Sequence, residues 1–414
     1  MGLNFIDLFA GAGGLSEGFV SAGYNPVAHV EMLEDACMTL KTRECFHYLK
    51  SIGKEALYKN YLCHGITQDE LYSLVPDAVT DKVLQRTMSL DTMFDLFSDI
   101  NRLMKTSKVQ KIDLIIGGPP CQAYSLVGRS RKGETIVNDP RNFLYKIYLE
   151  VLNEYKPKLF VFENVPGLLT ANRGRYFEDI KQAFRDAGYV IDYRIVNARD
   201  FGVLQNRKRV ILIGWREDVQ EEYPVFEKID SPHYVREILE DLPPLQAGEE
   251  NNRYSTVLIN DYLKTTGIRK EDDILTWHVS RPNSKRDREI YKLVISAWDN
   301  GKQRLKYNDL PEELCTHRNR SSFLDRFKVV AADLSASQTM TAHISKDGHY
   351  FIHPDISQAR SISVREAARI QSFPDDYYFE GSRTTAYMQI GNAVPVLMAK
   401  GIAVSLRKAL EVQK

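Results

Sequence analysis

Residues 3–14 read LNFIDLFAGAGG, an apolar run that passes directly into a glycine-rich turn. The run at 3–8 predicts a strand, and the apolar spacing over 15–22 predicts a helix that begins where the glycines end. Glycines at this junction allow a tight turn and let a ligand approach the backbone beside a helix N-terminus. A nicotinamide fingerprint would need Gly at position 16, where Ser16 stands. Taken alone, the turn fits either a nucleotide site or a purely structural junction.

The alternation of short apolar runs and helical patterns continues to residue 217, which predicts an α/β fold built from βαβ units. Further strands are predicted over residues 26–30, 112–116, 159–162, 190–196 and 209–214. Helices are predicted over 33–41, 142–155 and 176–187, and the segment 68–110 is predicted to be a mostly helical insertion. From about 218 to 374, prolines and glycines interrupt the periodicity, which predicts a second, smaller and less regular domain.

The charge of the chain is balanced, with 55 basic and 55 acidic residues. No global excess of basic residues therefore indicates a nucleic-acid partner. The distribution is uneven, since residues 218–275 hold 6 basic against 14 acidic residues and residues 276–330 hold 12 against 7. The five cysteines form no CxxC pair, and no apolar stretch approaches the roughly 18 residues of a membrane span. We expect a cytoplasmic protein without disulfides, metal or membrane anchor.

Three further motifs lie at the ends of predicted strands. Gly117-Gly118-Pro119-Pro120-Cys121-Gln122 places a thiol at the carboxyl end of a parallel strand, where open α/β sheets bind ligands. A free cysteine is usually a small buried hydrophobe, but the two prolines fix this one in a turn rather than in the core. Glu163 ends the next strand and could lie near Cys121, which would supply a nucleophile and a proton donor. A basic cluster, Gln205-Asn206-Arg207-Lys208-Arg209, leads into the last of these strands.

In this order, the four motifs resemble the DNA cytosine-5 methyltransferase family. Further matches are Asp139-Pro140-Arg141-Asn142, the run from Arg365 to Pro374, and Gln389-Ile390-Gly391-Asn392-Ala393-Val394-Pro395. The resemblance implies a Rossmann-like, S-adenosylmethionine-dependent methyltransferase sheet and a smaller target-recognition domain at about 218–374. It implies that residues 1–217 and about 375–414 form the catalytic domain, which the last helix at 395–411 rejoins.

The resemblance also implies the chemistry. Cys121 would add to carbon 6 of a cytosine, and the resulting enamine would take the methyl group at carbon 5. Glu163 would hold N3 and the exocyclic amine, while Arg207 and Arg209 would support the base and its oxygen. Because a thiol cannot reach a base inside a duplex, the target nucleotide would be flipped out.

Cofactor residues are likewise implied by the family pattern, with S-adenosylhomocysteine as the product and no metal. They are Phe9, Gly11, Gly13 and Gly14 in the first turn, Glu31 for the ribose, and Leu144, Asn392 and Val394 around the pocket. One departure concerns the family's adenine-binding Asp in a Gly-Asp-Ile-Thr context. The similar run here is His64-Gly65-Ile66-Thr67, which puts Gly65 in the place of the acid. Either Asp69 or a backbone carbonyl would then take its role, or the affinity for the cofactor would be lower.

Double-stranded DNA is the implied partner. The loop over 123–138 resembles the family's catalytic loop, and DNA contacts are expected from Gln122, Ser125, Arg129, Arg131 and Lys132. In the basic segment, Arg286 and Arg288 are the expected contacts, although the sequence does not separate base contacts from phosphate contacts.

Competing interpretations belong to other functional classes. A tRNA cytosine-5 methyltransferase shares the catalytic set but carries a Cys-Phe-Thr run that 218–360 lacks. A catalytically silent DNA-binding paralogue would have lost a catalytic residue, and none is missing. A nicotinamide oxidoreductase gives Cys121 no role. We expect a bacterial or phage enzyme of a restriction-modification or related defence system. It would act as a monomer in the cytoplasm, associated with the nucleoid, beside a cognate endonuclease or other defence component.

Overall fold

The computed structural model describes residues 2–120, 144–219 and 222–412. Within these ranges seven strands form one sheet in the order β3-β2-β1-β4-β5-β7-β6. In chain order they are β1 (Asn4–Leu8), β2 (Asn25–Glu31), β3 (Val83–Gln85), β4 (Leu114–Gly117), β5 (Leu159–Asn164), β6 (Tyr189–Asn197) and β7 (Lys208–Arg216). Strands β1 to β5 pair in parallel, whereas β7 runs antiparallel to both of its neighbours. The predicted α/β class is confirmed.

Helices connect and cover these strands. In the first part of the chain they are α1 (Gly14–Ser21), α2 (Glu34–Ser51), α3 (Glu55–Leu62), α4 (Gln68–Ser73), α5 (Asp77–Thr80), α6 (Met93–Thr106), α7 (Leu144–Tyr155) and α8 (Arg175–Asp186). The later ones are α9 (Asp261–Thr266), α10 (Lys285–Asp299), α11 (Arg320–Phe323), α12 (Val364–Ile370), α13 (Arg383–Asn392) and α14 (Val396–Val412). Between β7 and α12 the described segments are mostly irregular, as expected for the second domain. Its limits at about 218 and 374 remain a prediction.

The sheet is covered on both faces, which the alternation within β1 illustrates. Ile6 and Leu8 pack into the core beneath α6, α7 and α8, whereas Phe5 packs into the opposite core with α1 and α14. Helices α1 and α14 approach very closely, because a Cβ on Gly18 would overlap Ala399. The chain's last helix therefore completes the core formed by its first βαβ unit.

Strand β3 was not predicted. It pairs in parallel with β2 at the edge of the sheet, inside the segment expected to be a helical insertion. Its three residues are too few to establish a periodicity. The rest of this segment is mostly helical, as predicted, with α4, α5 and α6. Helices α3, α4 and α5 pack with α2 around Phe46, Tyr58 and Leu71.

Residues 383–408 are long and apolar enough, by composition, to cross a membrane. In the structure, however, this segment is interrupted between α13 and α14, and two thirds of the most apolar window is buried inside the protein. Met398, Ile402 and Ala403 are fully buried against the sheet. The apolar character is therefore that of a core helix.

Buried charges join α12 to the irregular region. Arg369 forms ion pairs with Asp375 at 2.6 Å and with Asp241, while Arg360 pairs with Glu366 at 2.7 Å. His353 lies 3.6 Å from Glu366 and is almost completely buried. Burial, together with the positive charge of Arg360, lowers the pKa of His353 to about 4, although Glu366 acts in the opposite direction. His353 is therefore neutral in the folded protein at pH 7.

This shift predicts an acid-sensitive fold. Because the folded pKa lies below the unfolded value of 6.5, the stabilisation is complete above pH 6.5 and is lost as the pH falls toward 4. The full effect is about 3 kcal/mol. Urea unfolding at pH 7 and pH 5 should show a smaller pH-dependent loss of stability in His353→Asn than in the wild type. The exposed His64→Asn variant should keep the wild-type dependence; equal slopes in all three proteins would contradict the assignment.

Candidate functional site

The glycine turn after β1 is tied to the end of β2 by one carboxylate. Glu31 Oε2 accepts a hydrogen bond from the Gly11 amide at 2.8 Å, and Oε1 accepts from the Met32 and Leu33 amides at 2.8 Å each. Glu31 is nearly buried, at 7 % exposure. The carboxylate that the sequence assigned to a ribose is therefore held in a fixed position at the carboxyl edge of the sheet.

The glycines of this turn differ in what surrounds them. Gly11 has φ +54°, and the space where its side chain would be is open. A Cβ on Gly13 would lie 2.8 Å from the Tyr377 hydroxyl, and one on Gly14 would overlap the Val394 carbonyl oxygen. Gly11 therefore leaves room for a ligand, whereas Gly13 and Gly14 make room for the returning C-terminal segment.

The C-terminal segment forms one wall beside the turn. Val394 is buried and Asn392 is exposed, immediately before α14. Phe9, with φ +58°, and Leu144 are both half-buried. Both pack against the core beneath α6, α7 and α8. Glu31 and Val394 lie against the glycine turn at the carboxyl end of β1, where the sequence analysis expected a cofactor.

The turn after β4 leads toward the nucleophile motif. Gly117 is packed so closely that a Cβ would lie 2.5 Å from the Leu8 carbonyl oxygen. Asn164 Nδ2 donates a hydrogen bond to the Pro119 carbonyl oxygen at 3.3 Å. The sequence analysis did not identify this role of Asn164, whose signal is its position directly after Glu163. Cys121 and Gln122 lie outside the described residues, as do Ser125, Arg129, Arg131 and Lys132.

Glu163 and Arg209 form an ion pair across β5 and β7. Arg209 Nε lies 2.6 Å from Glu163 Oε1, and about one eighth of each side chain is exposed. The pair exists because β7 runs antiparallel to β5, so that the beginning of one strand lies beside the end of the other. A carboxylate and a guanidinium thus lie side by side above the β4 turn.

Arg207 occupies a different environment from Arg209. It is fully buried, and its guanidinium donates to the carbonyl oxygens of Met340, Gly391 and, at 3.5 Å, Asn392. Burial and the nearby Arg209 lower the pKa of Arg207, although Glu163 acts in the opposite direction. Its contacts are with the protein wall rather than with an open site.

Gln205 joins the same wall. Its side chain donates to the Gln371 side chain at 2.8 Å and accepts from the Met340 amide at 2.7 Å. A Cβ on Gly391 would overlap the backbone of Ala342. The basic motif, the segment around Met340 and the end of α13 are therefore packed together without spare room.

Gly65 does not follow a strand of the sheet. Gly65 lies between α3 and α4, and a Cβ there would overlap the side chain of Asn60. The strand beside β2 is β3, and the Arg86 amide that follows it donates to the Glu31 carbonyl oxygen at 2.8 Å. The residues next to Glu31 are thus those after β3. The short His64–Thr67 run instead ends in Thr67, whose side chain caps the N-terminus of α4.

The two arginines expected to contact DNA lie on α10. Arg286 is exposed and donates a hydrogen bond to Thr316 Oγ1 at 2.6 Å. Arg288 is half-buried, and its Nε has no partner among the described residues.

Across the same described ranges, His, Cys, Asp and Glu side chains form no group that could hold a metal ion.

Comparison with known proteins identifies the family. Residues 3–60 and 79–408 match the family described as C-5 cytosine-specific DNA methylase. The chain is 43 % identical to the type II methyltransferase M.Bpa9945I of Bacillus paralicheniformis, over 98 % of both chains. It is 31 % identical to M1.HphI of Haemophilus parahaemolyticus, over 99 % of this chain and 87 % of that one.

Solved structures share the fold. A DNA modification methyltransferase encoded in an E. coli prophage superposes with a TM-score of 0.65 at 23 % identity, covering 99 % of both chains. The S. pombe Dnmt2 methyltransferase superposes with a TM-score of 0.54 at 16 % identity, over all of this chain and 99 % of that one. The family model matches nearly the whole sequence, and the curated relatives agree with it. The chain therefore belongs to the C-5 cytosine-specific DNA methylases and is a DNA cytosine-5 methyltransferase.

Proposed function

We propose that this DNA cytosine-5 methyltransferase modifies one cytosine within a short double-stranded recognition sequence and serves a type II restriction-modification system. The relatives M.Bpa9945I and M1.HphI bear the name type II methyltransferase, and both alignments span nearly all of this chain. A cognate endonuclease or another defence component is the proposed partner. The enzyme acts as a monomer, because one duplex needs one site, and it works in the bacterial cytoplasm on nucleoid DNA.

The Glu163–Arg209 ion pair carries the proposed chemistry. The pair lies above the turn that leads through Pro120 to Cys121. An acid and a guanidinium beside a cysteine supply a proton donor, a charge stabiliser and a nucleophile within one small site. A nearby guanidinium also favours the thiolate form of cysteine.

In the proposed reaction, the Cys121 thiolate adds to carbon 6 of the flipped cytosine. Glu163 enters this step as the carboxylic acid, holds the exocyclic amine and gives its proton to N3, which leaves the carboxylate. Arg209 fixes the Glu163 carboxylate and stabilises charge at the base oxygen. The electron pair released toward carbon 5 takes the methyl group. A base then removes the proton from carbon 5, and the carbon–sulfur bond breaks to regenerate the Cys121 thiolate. The N3 proton returns to Glu163, which leaves the neutral aromatic ring.

The residues around the first turn fit S-adenosylmethionine, which supplies an electrophilic methyl group when bound and leaves as S-adenosylhomocysteine. Gly11 offers an open, left-handed backbone position, and Glu31 offers a nearly buried carboxylate for the ribose hydroxyls. Phe9, Leu144, Asn392 and Val394 complete the proposed pocket. On the adenine side we assign the exposed Met32 side chain and the backbone after β3, in place of Gly65.

DNA binding is proposed to use two regions. Gln122, Ser125, Arg129, Arg131 and Lys132 contact the duplex around the flipped nucleotide, whose unstacking costs a few kcal/mol. Arg286 and Arg288 contact it from the target-recognition domain, where α10 leaves both guanidinium groups without an acidic partner among the residues described.

Base-resolution mapping of 5-methylcytosine tests this function. A methylation-deficient bacterial host that expresses the protein should acquire marks at one short DNA sequence. Cys121→Ala should abolish the marks, and Glu163→Gln should lower kcat by at least about 10²-fold because N3 protonation is lost. The exposed Cys63→Ala variant should keep full activity. Marks confined to RNA, or DNA marks that persist in Cys121→Ala, would contradict the proposal.

The ribose assignment predicts that Glu31→Gln binds S-adenosylmethionine at least about tenfold more weakly, because one charged acceptor is lost. Isothermal titration calorimetry without DNA measures this directly. Glu34→Gln is the matched control, since Glu34 is exposed in the first turn of α2. Equal affinities for both variants and the wild type would remove Glu31 from the site.

Substitutions of Arg209 and Arg207 should affect different properties, catalysis in the first case and stability in the second. Arg209→Lys should lower kcat by about 10- to 10²-fold with little loss of stability, because lysine cannot hold Glu163 through the same planar group. Arg207→Lys should reduce the free energy of unfolding by about 1–3 kcal/mol, because one ammonium cannot reach the same set of carbonyl oxygens. Denaturation and single-turnover kinetics on both variants check this pattern, and a stable but inactive Arg207→Lys would return Arg207 to the catalytic set.

A further inference from the structure

We propose that Gly118 is a positioning residue, whose missing side chain sets the location of the Glu163 carboxylate. The inference rests on the catalytic role proposed above for Glu163. It concerns a residue that touches neither base nor cofactor in that scheme and acts only through Glu163.

The observation is a close approach between the β4 turn and the end of β5. A Cβ placed on Gly118 would lie 2.6 Å from Glu163 Oε2 and 3.7 Å from Glu163 Cδ. Real Cβ atoms do not approach other heavy atoms to within 3.0 Å, so one of the two groups would have to move. The carboxylate therefore occupies the space that any other residue at 118 would fill.

Backbone conformation does not explain this glycine. Gly11 and Gly13 have positive φ angles, whereas the φ of Gly118 lies outside the left-handed region. An L-residue could therefore adopt the same backbone at 118 without strain. The requirement for glycine comes from the space needed by Glu163.

The turn itself is not free to retreat from an added methyl group. On one side, Gly117 is packed against the Leu8 carbonyl oxygen of β1. On the other, Asn164 holds the Pro119 carbonyl oxygen. With residues 117 and 119 both anchored, a methyl group at 118 displaces the Glu163 side chain rather than the backbone.

Displacement of Glu163 has a direct chemical cost. Arg209 Nε holds Oε1, and Oε2 is the oxygen above Gly118. A methyl group under Oε2 rotates the carboxylate away from its proposed alignment with the base. Misplacement of a catalytic group by about 1 Å costs on the order of 10²-fold in rate.

The test is Gly118→Ala, measured by single-turnover methylation of DNA containing the recognition sequence found by the mapping experiment. We expect kcat to fall by about 10- to 10²-fold, with unchanged affinity for S-adenosylmethionine. The matched control is Gly301→Ala, because Gly301 has an ordinary φ and open space around it. That control should behave as the wild type.

Coupling to Glu163 separates positioning from a general structural role. In a Glu163→Asp background the carboxylate is shorter and leaves room for the methyl group, so Gly118→Ala should cost less than about threefold there. An equal loss in both backgrounds would overturn the inference. If Gly118→Ala alone does not fold, the double variant should fold with the activity of Glu163→Asp, and an unfolded double variant would overturn it as well.

Different results would reject the role of Gly118 and the role of Glu163. Full activity in Glu163→Gln would remove the catalytic role on which the inference rests. Loss of activity in Glu163→Gln together with wild-type activity in Gly118→Ala would leave that role intact and reject Gly118 as its positioning residue.

Discussion

Arg209 Nε lies 2.6 Å from Glu163 Oε1, and this contact depends on the reversal of a single strand. A sheet that remained parallel after β5 would place the carboxyl end of the next strand beside Glu163, with its first residues at the opposite edge of the sheet. Because β7 is antiparallel, its beginning meets the end of β5, and an arginine two residues before Ile211 reaches the acid. The position of the Glu163–Arg209 pair is therefore a consequence of sheet topology.

The same region requires the two ends of the chain to come together. Gly14 and Gly18 have no room for side chains because the segment around Val394 and α14 lies against them. Gly391 in turn accommodates the backbone of Ala342, which belongs to the irregular region. Glycine is needed at these positions for close packing. Part of the glycine pattern that resembles a ligand-binding loop is therefore required by contacts within the protein.

The sequence predicted the parts of the fold that have a clear period. Six of the seven described strands were predicted, since each is long or fully apolar, whereas β3 has only three residues. Without β3, the sequence analysis could not recognise that the residues after this strand lie beside Glu31. Arg207 and Arg209 are equivalent in the sequence pattern, and only the three-dimensional packing separates a buried residue from one beside Glu163. The roles of Cys121 and its loop, outside the described residues, remain predictions.

The balanced net charge is compatible with a DNA substrate because many basic residues of the 276–330 segment are already paired. Ion pairs within the described residues join Lys302 to Asp333, Arg304 and Lys328 to Asp325, Arg320 to Glu312 and Arg326 to Asp347. Lys285, Arg286 and Arg288 form no such pair in those ranges, and they begin α10, where the helix dipole adds positive potential. The phosphate backbone of DNA is bound by individual unpaired basic side chains, so local charge matters more than the net charge of the whole chain. Unpaired basic residues such as these are therefore more informative about the proposed DNA contacts than the segment's net charge.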